Sequence, residues 1–295
     1  MRTLIVGGSG KIGKLLNYKH SIKTFYKNRI KNGIKFNIIH DDFQNLLNKY
    51  FIDRVVLLSA ISDPDVCFKK KKYSHKINVD CTKKLIDILI EKKIYFIFFS
   101  SEYIYDGKKG NFSEKSKIKP NNLYGKQKFA VEKYIKKNAE NFSIFRIGKT
   151  YGDRINDKTL ISNYLEQLIK KIFYFNVASD QVFNPLYVKD LKKIVNFFLT
   201  KKIHGIYNVG GPQQLSRYKI LQIISKNLGR SIALKVQLNK ISLKNFITSE
   251  NRPFNVSMNI NKLKKQIKFK MKTISNVSLE MIRKNNVKNK ILKRG

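Results

Sequence analysis

The sequence predicts an α/β fold: a doubly wound parallel sheet followed by a smaller C-terminal lobe. Three observations carry this. The first half alternates short β-branched and aromatic runs with helical patterns. The first such run ends in a cluster of glycines, Gly7-Gly8-Ser9-Gly10-Lys11-Ile12-Gly13. The chain has 295 residues, enough for one large core or two modest ones, and its rhythm changes past Tyr151 to longer helices and isolated strands.

Taken in order, strands are expected at 3–6, 22–26, 36–39, 55–59, 95–100 and 143–147. Near-continuous apolar runs of this kind suit strands covered on both faces. The intervening helices fall at 11–18, 44–50, 74–91 and 124–137. Further on, helices are expected at 160–172, 190–199 and 215–228, with a strand at 206–209. Residues 1–150 therefore read as a dinucleotide-binding unit. Residues 151–283 read mainly as a substrate lobe with one element returning to the sheet. Residues 284–295 form a polar, basic tail with weak patterning, expected to be disordered.

Composition narrows the function classes. No apolar stretch approaches the roughly 20 residues of a membrane helix, and the chain opens directly into Thr3-Leu4-Ile5-Val6, so a cytoplasmic protein is expected. Cys67 and Cys81 are too few for a disulfide framework and lack neighbours at metal-ligand spacing, so both read as buried thiols and no metal site is assigned. The net charge of +41 resembles a nucleic-acid footprint. Lysine supplies 51 of the 61 basic residues, however, and is spread along the whole chain, as a codon bias that also raises Asn, Ile, Phe and Tyr would produce. A nucleic-acid partner is not expected; solubility and attraction for anionic ligands are.

The glycine cluster satisfies G-x-G-x-x-G after a strand and before a helix, the context in which the motif binds a dinucleotide in a Rossmann fold. Its glycines give a tight turn, close approach of a pyrophosphate and close helix packing. No Asp or Glu precedes Asp41, whereas the second strand runs into Lys27-Asn28-Arg29, cations suited to a 2′-phosphate. NADP(H) is thus favoured over NAD(H). Of Asp41 and Asp42, either caps the next helix or touches the adenine.

Tyr124 and Lys128 stand four residues apart at the start of an apolar-periodic segment, hence on one helix face. The ammonium is expected to depress the phenol pKa and make it a proton donor and acceptor near neutrality. The other Tyr-x-x-x-Lys pair, Tyr105 and Lys109, lies in a glycine turn. Ser100-Ser101 end an apolar strand where such sheets bind ligands; a hydroxyl there either meets a substrate carbonyl or caps a turn.

Gly7 to Gly13, Ser100-Ser101-Glu102-Tyr103-Ile104-Tyr105-Asp106-Gly107 and Tyr124 to Lys128 together resemble the extended short-chain dehydrogenase/reductases, in the dTDP-4-dehydrorhamnose reductase (RmlD-like) branch. The similarity continues through Arg146 to Gly152, Asn184 to Leu191, Gly205 to Asn208 and Arg252-Pro253. The resemblance implies that Tyr124 is the catalytic acid, that Lys128 binds the nicotinamide ribose, that Ser101 polarises the ketone, and that Asn78 supports the proton relay. The cofactor site it implies comprises Gly7, Gly10, Lys11, Ile12, Gly13, Lys27, Asn28, Arg29, Asp42, Ser59, Ala60 and Ile61, with Tyr124 and Lys128. A sugar nucleotide would meet Ser101, Glu102, Tyr103, Tyr124, Asn184, Arg217 and Arg252.

Lys149 replaces a usual Trp, Glu102 a usual Asp, and 62–65 differ from the usual segment, which leaves open the sugar and any Mg requirement. The expected activity is NADPH-dependent reduction of a nucleotide-linked 4-keto sugar. Alternatives are a non-catalytic NADP-binding subunit resembling the methionine adenosyltransferase β subunit, and a nucleotide-sugar epimerase or dehydratase. A homodimer is open.

Overall fold

The computed structural model describes residues 2–152 and 154–292. Strand β1 (Thr3–Val6) leads through the glycine turn into a short helix α1 (Lys11–Leu15), then β2 (Ser21–Phe25) and β3 (Ile34–Lys35). Helix α2 (Phe43–Lys49), β4 (Arg54–Leu57) and α3 (Pro64–Lys69) follow. The next helical rod comprises α4 (Lys71–His75), a π-helical segment (Lys76–Cys81) and α5 (Thr82–Glu91). Strand β5 (Tyr95–Ser101), α6 (Leu123–Asn138) and β6 (Phe142–Ile147) complete this half.

These strands and a later one, Gly205–Val209, make a seven-stranded sheet in which every neighbouring pair is parallel. From one edge the order is β3, β2, β1, β4, β5, β6 and then Gly205–Val209, so winding reverses between β1 and β4 and opens a crevice at their carboxyl ends. Side chains alternate faces along each strand. In β5, Phe96 and Phe98 join the core beneath α2 and α5 with Leu4, Val55 and Ile144, while Ile97 and Phe99 join Ile5, Val56 and Phe145 on the other face. Double coverage explains why the sequence shows runs rather than alternation.

The second half contributes β7 (Thr150–Tyr151), α7 (Leu160–Ile169), β8 (Tyr174–Ala178), β9 (Val182–Phe183), β10 (Leu186–Tyr187), α8 (Val188–Lys201), β11 (Gly205–Val209), β12 (Leu215–Ser216), α9 (Arg217–Asn227), α10 (Arg230–Ala233), β13 (Gln237–Ile241), α11 (Asn261–Gln266), α12 (Ile274–Lys284) and α13 (Val287–Leu292). Much of it packs around its own core, including Leu165, Leu168, Ile224 and Val277. Among the described residues, no helix is long and apolar enough to cross a membrane.

Four expectations are corrected. The strand expected at 36–39 gives way after the Phe36 N–H bonds the Phe25 carbonyl at 2.8 Å, with a turn from 38 and the paired residues of β3 at 34–35. The Asp41 carboxylate accepts the Asn37 N–H at 2.7 Å and the Asn37 side chain accepts the Ile39 N–H at 3.0 Å, so side chains take the donors a ladder needs. Helix α1 stops at Leu15 rather than 18, where Asn17 N–H turns back to the Leu15 carbonyl at 2.9 Å. The helix expected at 74–91 begins at Lys71 and is interrupted by the π segment, which periodicity cannot reveal. The tail is not disordered as far as it is described: α13 buries Val287 and Ile291 against the second core. Residues 293–295 lie outside the described residues.

Candidate active site

Helix α6 starts where the Asn122 side chain accepts the Gly125 N–H at 2.8 Å, with Tyr124 in its first turn and Lys128 in its second. Both are almost wholly buried. The Lys128 ammonium lies 4.8 Å from the centre of the Phe98 ring and 5.9 Å from that of Tyr124. Ser101, at the end of β5, lies close enough to the Tyr124 phenol to pull its pKa down, and it accepts the Tyr103 N–H at 3.2 Å. The capping role expected of that serine and its closeness to the Tyr124 phenol therefore coexist.

Electrostatics correct the expectation of an acidified tyrosine. Burial pushes the Tyr124 pKa up, outweighing the pull of Ser101, so the phenol is held in its neutral form. Burial also brings Lys128 down to about 8, against the pull of Cys67 and Glu132. Cys67 was not assigned to the site from sequence. It is fully buried, close enough to influence both Tyr124 and Lys128, and its thiol is pushed up to about 11 by burial.

Asn78 lies in the π segment. Its Oδ1 accepts the Ile61 N–H at 2.8 Å and its Nδ2 donates to the Ile61 carbonyl at 2.9 Å. Ile61 follows Ser59 and Ala60, which help line a cavity of about 200 Å³ with Gly7, Gly10, Thr24 and Tyr26. Gly7 and Gly10 of the motif form part of its wall, and the turn that carries them is packed too tightly at Gly7 and Gly13 for a larger residue. Gly7 has φ +87° and a Cβ there would lie 2.7 Å from the Ser59 nitrogen; a Cβ on Gly13 would lie 2.6 Å from the Gly7 oxygen and the Gly8 Cα.

Gly13→Ala is accordingly expected to cost about 1–3 kcal/mol of stability, because the clash is with backbone that cannot step aside. Thermal unfolding together with a dinucleotide titration checks it, and an unchanged melting temperature would refute the tight packing.

Other expected cofactor residues are placed less directly. Lys27, Asn28 and Arg29 are exposed just past β2, outside the cavity lining. The Asp42 carboxylate accepts the Asn45 N–H at 2.9 Å as the cap of α2 and stands outside the cavity lining. The Lys11 ammonium reaches across to the Lys158 carbonyl at 3.1 Å, and Ile12 packs onto the core.

A second cavity, of about 340 Å³, abuts the dyad through Tyr103, whose ring meets that of Tyr124 edge-on at 6.4 Å. Arg217 and Arg252 line it as expected, and so does Lys149, which sequence reasoning singled out only as a departure. The Arg217 guanidinium is held by the Gln181 side chain, and Arg252 pairs with Asp65 at 2.8 Å. The expected role of Asn184 is corrected: it is buried with its amide committed, Nδ2 to the Gly211 carbonyl at 3.1 Å and Oδ1 to the Met258 N–H at 2.6 Å. It shapes the fold rather than offering its side chain to a ligand.

Glu102, beside Ser101, is buried with Oε2 lacking a hydrogen-bond partner. Burial raises its carboxyl from 4.5 to about 8, against the pull of Lys149 and Arg217. The folded state thus keeps a proton that the unfolded chain gives up, so its contribution to stability is present below about pH 4.5 and lost as pH rises toward 8. Glu102→Gln, which cannot ionise, is expected to lose less stability than the parent between pH 5 and pH 8. Parallel slopes of melting temperature against pH would contradict this.

Comparison with known proteins follows the same lines. A methionine adenosyltransferase 2 subunit beta from Xenopus laevis is 25% identical over 235 residues, covering 74% of this chain and 70% of the relative. A dTDP-4-dehydrorhamnose reductase from Bacillus anthracis, solved with NADP, superposes with a TM-score of 0.81 at 19% identity, covering 96% of this chain and 99% of the other. A UDP-glucuronic acid 4-epimerase from Bacillus cereus, solved with UDP-glucuronic acid and NAD, gives 0.77 at 21%, covering 97% and 100%. At these identities the solved structures speak for the shared fold. The model of the RmlD substrate binding domain matches residues 1–286, nearly the whole chain, and on that match the protein belongs to the RmlD substrate binding domain family.

Proposed function

We propose that the protein is an NADPH-dependent reductase of a nucleotide-linked 4-keto sugar. The observation that carries this reading is a buried phenol, Tyr124, held neutral by its surroundings, beside Ser101 and edge-on to Tyr103, which lines the cavity bearing Arg217, Arg252 and Lys149. A nicotinamide dinucleotide held by Gly7, Gly10, Gly13, Ser59 and Ala60 would supply the reducing equivalent. NADPH is preferred because no acidic residue follows β2, where Lys27 and Arg29 stand instead.

The chain's own groups divide the remaining work. Arg217, Arg252 and Lys149 draw the diphosphate of the substrate into the cavity they line. The sugar ketone then sits against Ser101 and Tyr124. Held protonated by its surroundings, the Tyr124 phenol hands its proton to the carbonyl oxygen as negative charge develops there, and Ser101 stabilises that charge by a preorganised hydrogen bond. The Lys128 ammonium favours the phenolate left behind.

Oxidation of NADPH against a panel of nucleotide-linked keto sugars tests the reading, and loss of absorbance with one of them is expected. Product formed without net cofactor use would point to an epimerase or dehydratase. Tight NADPH binding with no turnover, and a partner captured in its place, would point to the regulatory role that the adenosyltransferase relatives' name suggests.

A further inference from the structure

Gln127 stands on α6 between Tyr124 and Lys128, 2% exposed, and touches neither cavity. Its Oε1 accepts from Asn78 Nδ2 at 2.7 Å and its Nε2 donates to Ser74 Oγ at 2.9 Å. The Ser74 hydroxyl in turn lies 3.0 Å from the Lys71 carbonyl and 3.1 Å from the Cys67 carbonyl. Asn78 closes the chain on both polar atoms of the Ile61 backbone. Ser74, Asn78 and Gln127 are all buried, so each bond lacks competition from water.

The bonds have one direction. A carbonyl can only accept, so the Ser74 proton points to the helix backbone and its oxygen is left to receive Gln127 Nε2. That orients the Gln127 amide with Oε1 toward Asn78, which therefore must present Nδ2. The same orientation lets Asn78 Oδ1 meet the Ile61 N–H. Turned over, the Asn78 amide would set donor against donor at Ile61.

Resting on the reductase reading above, we infer that Gln127 is a positioning residue: through Asn78 it ties the helical turn that bears Tyr124 and Lys128 to the 59–61 segment beside the glycine turn. The dyad and the cofactor wall are thereby held in one register, and Ser74 is the anchor that sets its sense.

Gln127→Met keeps the volume and removes both bonds. The expected result is an affinity for NADPH, read by fluorescence titration, lowered about tenfold, with kcat lowered about tenfold and KM for the keto sugar within about twofold. A residue that only packs would lower the melting temperature while leaving the NADPH affinity and kcat of the folded protein unchanged, and that result would overturn the inference. If Gln127→Met does not fold, Ser74→Ala, which frees only the far end, carries the test: a loss of about threefold in both constants is expected, and parent values in both would overturn it. Should no nucleotide keto sugar be reduced by the unaltered protein, the reductase reading falls, while the NADPH titration still decides the role of Gln127.

Discussion

Tyr124→Phe is expected to lower NADPH consumption on the true keto-sugar substrate by about 10²–10⁴-fold, the usual worth of a positioned proton donor. The substitution removes one oxygen from a ring that keeps its contact with Tyr103. Cofactor affinity should stay within about twofold, because the cavity beside the glycine turn is untouched. Steady-state rates and a fluorescence titration on the same preparation separate the two. A phenylalanine variant that turns over as fast as the parent would show that the proton comes from elsewhere.

Glu132→Gln is expected to have the largest effect on stability. Arg146 on β6 is 1% exposed and Glu132 on α6 is fully buried; Arg146 Nη2 and Glu132 Oε2 lie 2.8 Å apart, and Nε adds contacts of 3.2 and 3.3 Å. The other guanidinium arm donates to the Tyr105 hydroxyl and the Glu114 carbonyl, each at 3.0 Å, and Tyr105 donates on to Asn208 Oδ1 at 2.8 Å. The pair therefore pins helix α6, the sheet and the 105–116 loop to one another. Leaving the arginine buried without its counter-ion costs about 3–5 kcal/mol, which for a chain of this size lowers the melting temperature by about 10 °C. Replacing both partners together, Glu132→Leu with Arg146→Met, should recover much of the loss, since no charge is then stranded. Calorimetry on the single and double variants measures this, and a single variant as stable as the parent would refute the clamp.

What was legible in the sequence was local. The β1 strand, the glycine turn and the Tyr124–Lys128 spacing each lie within a few residues, and their geometry follows from strand and helix periods. Ser101 was legible because it ends an apolar strand at the carboxyl edge. Lys149 and Cys67 gave no such signal: they reach the site only when the segment after β6 and helix α3 are brought to it, and a lysine among 51 lysines or a lone buried thiol looks ordinary in one dimension.

The protonation state of Tyr124 was misread for a physical reason. Helical spacing shows that an ammonium is near, but not that the site is dry, and in a dry site the cost of a phenolate outweighs a cation that stands nearly 6 Å from the ring centre. Helix α13 escaped because its two inward residues, Val287 and Ile291, are too few to mark a face until the core they complete is known. Asn184 looked like a ligand because a polar residue in a shared motif can serve either substrate or fold; its two hydrogen bonds to backbone decide for the fold.

The central claim is that this site transfers a hydride equivalent to a sugar ketone and does not return it. Incubating the protein with a nucleotide-linked 4-keto sugar and NADPH deuterated at the transferable position, then weighing the product, tests that most directly. A product heavier by a single deuterium, formed in step with an equal amount of oxidised cofactor, is the predicted result. An unlabelled product, or sugar converted while the cofactor remains reduced, would contradict it.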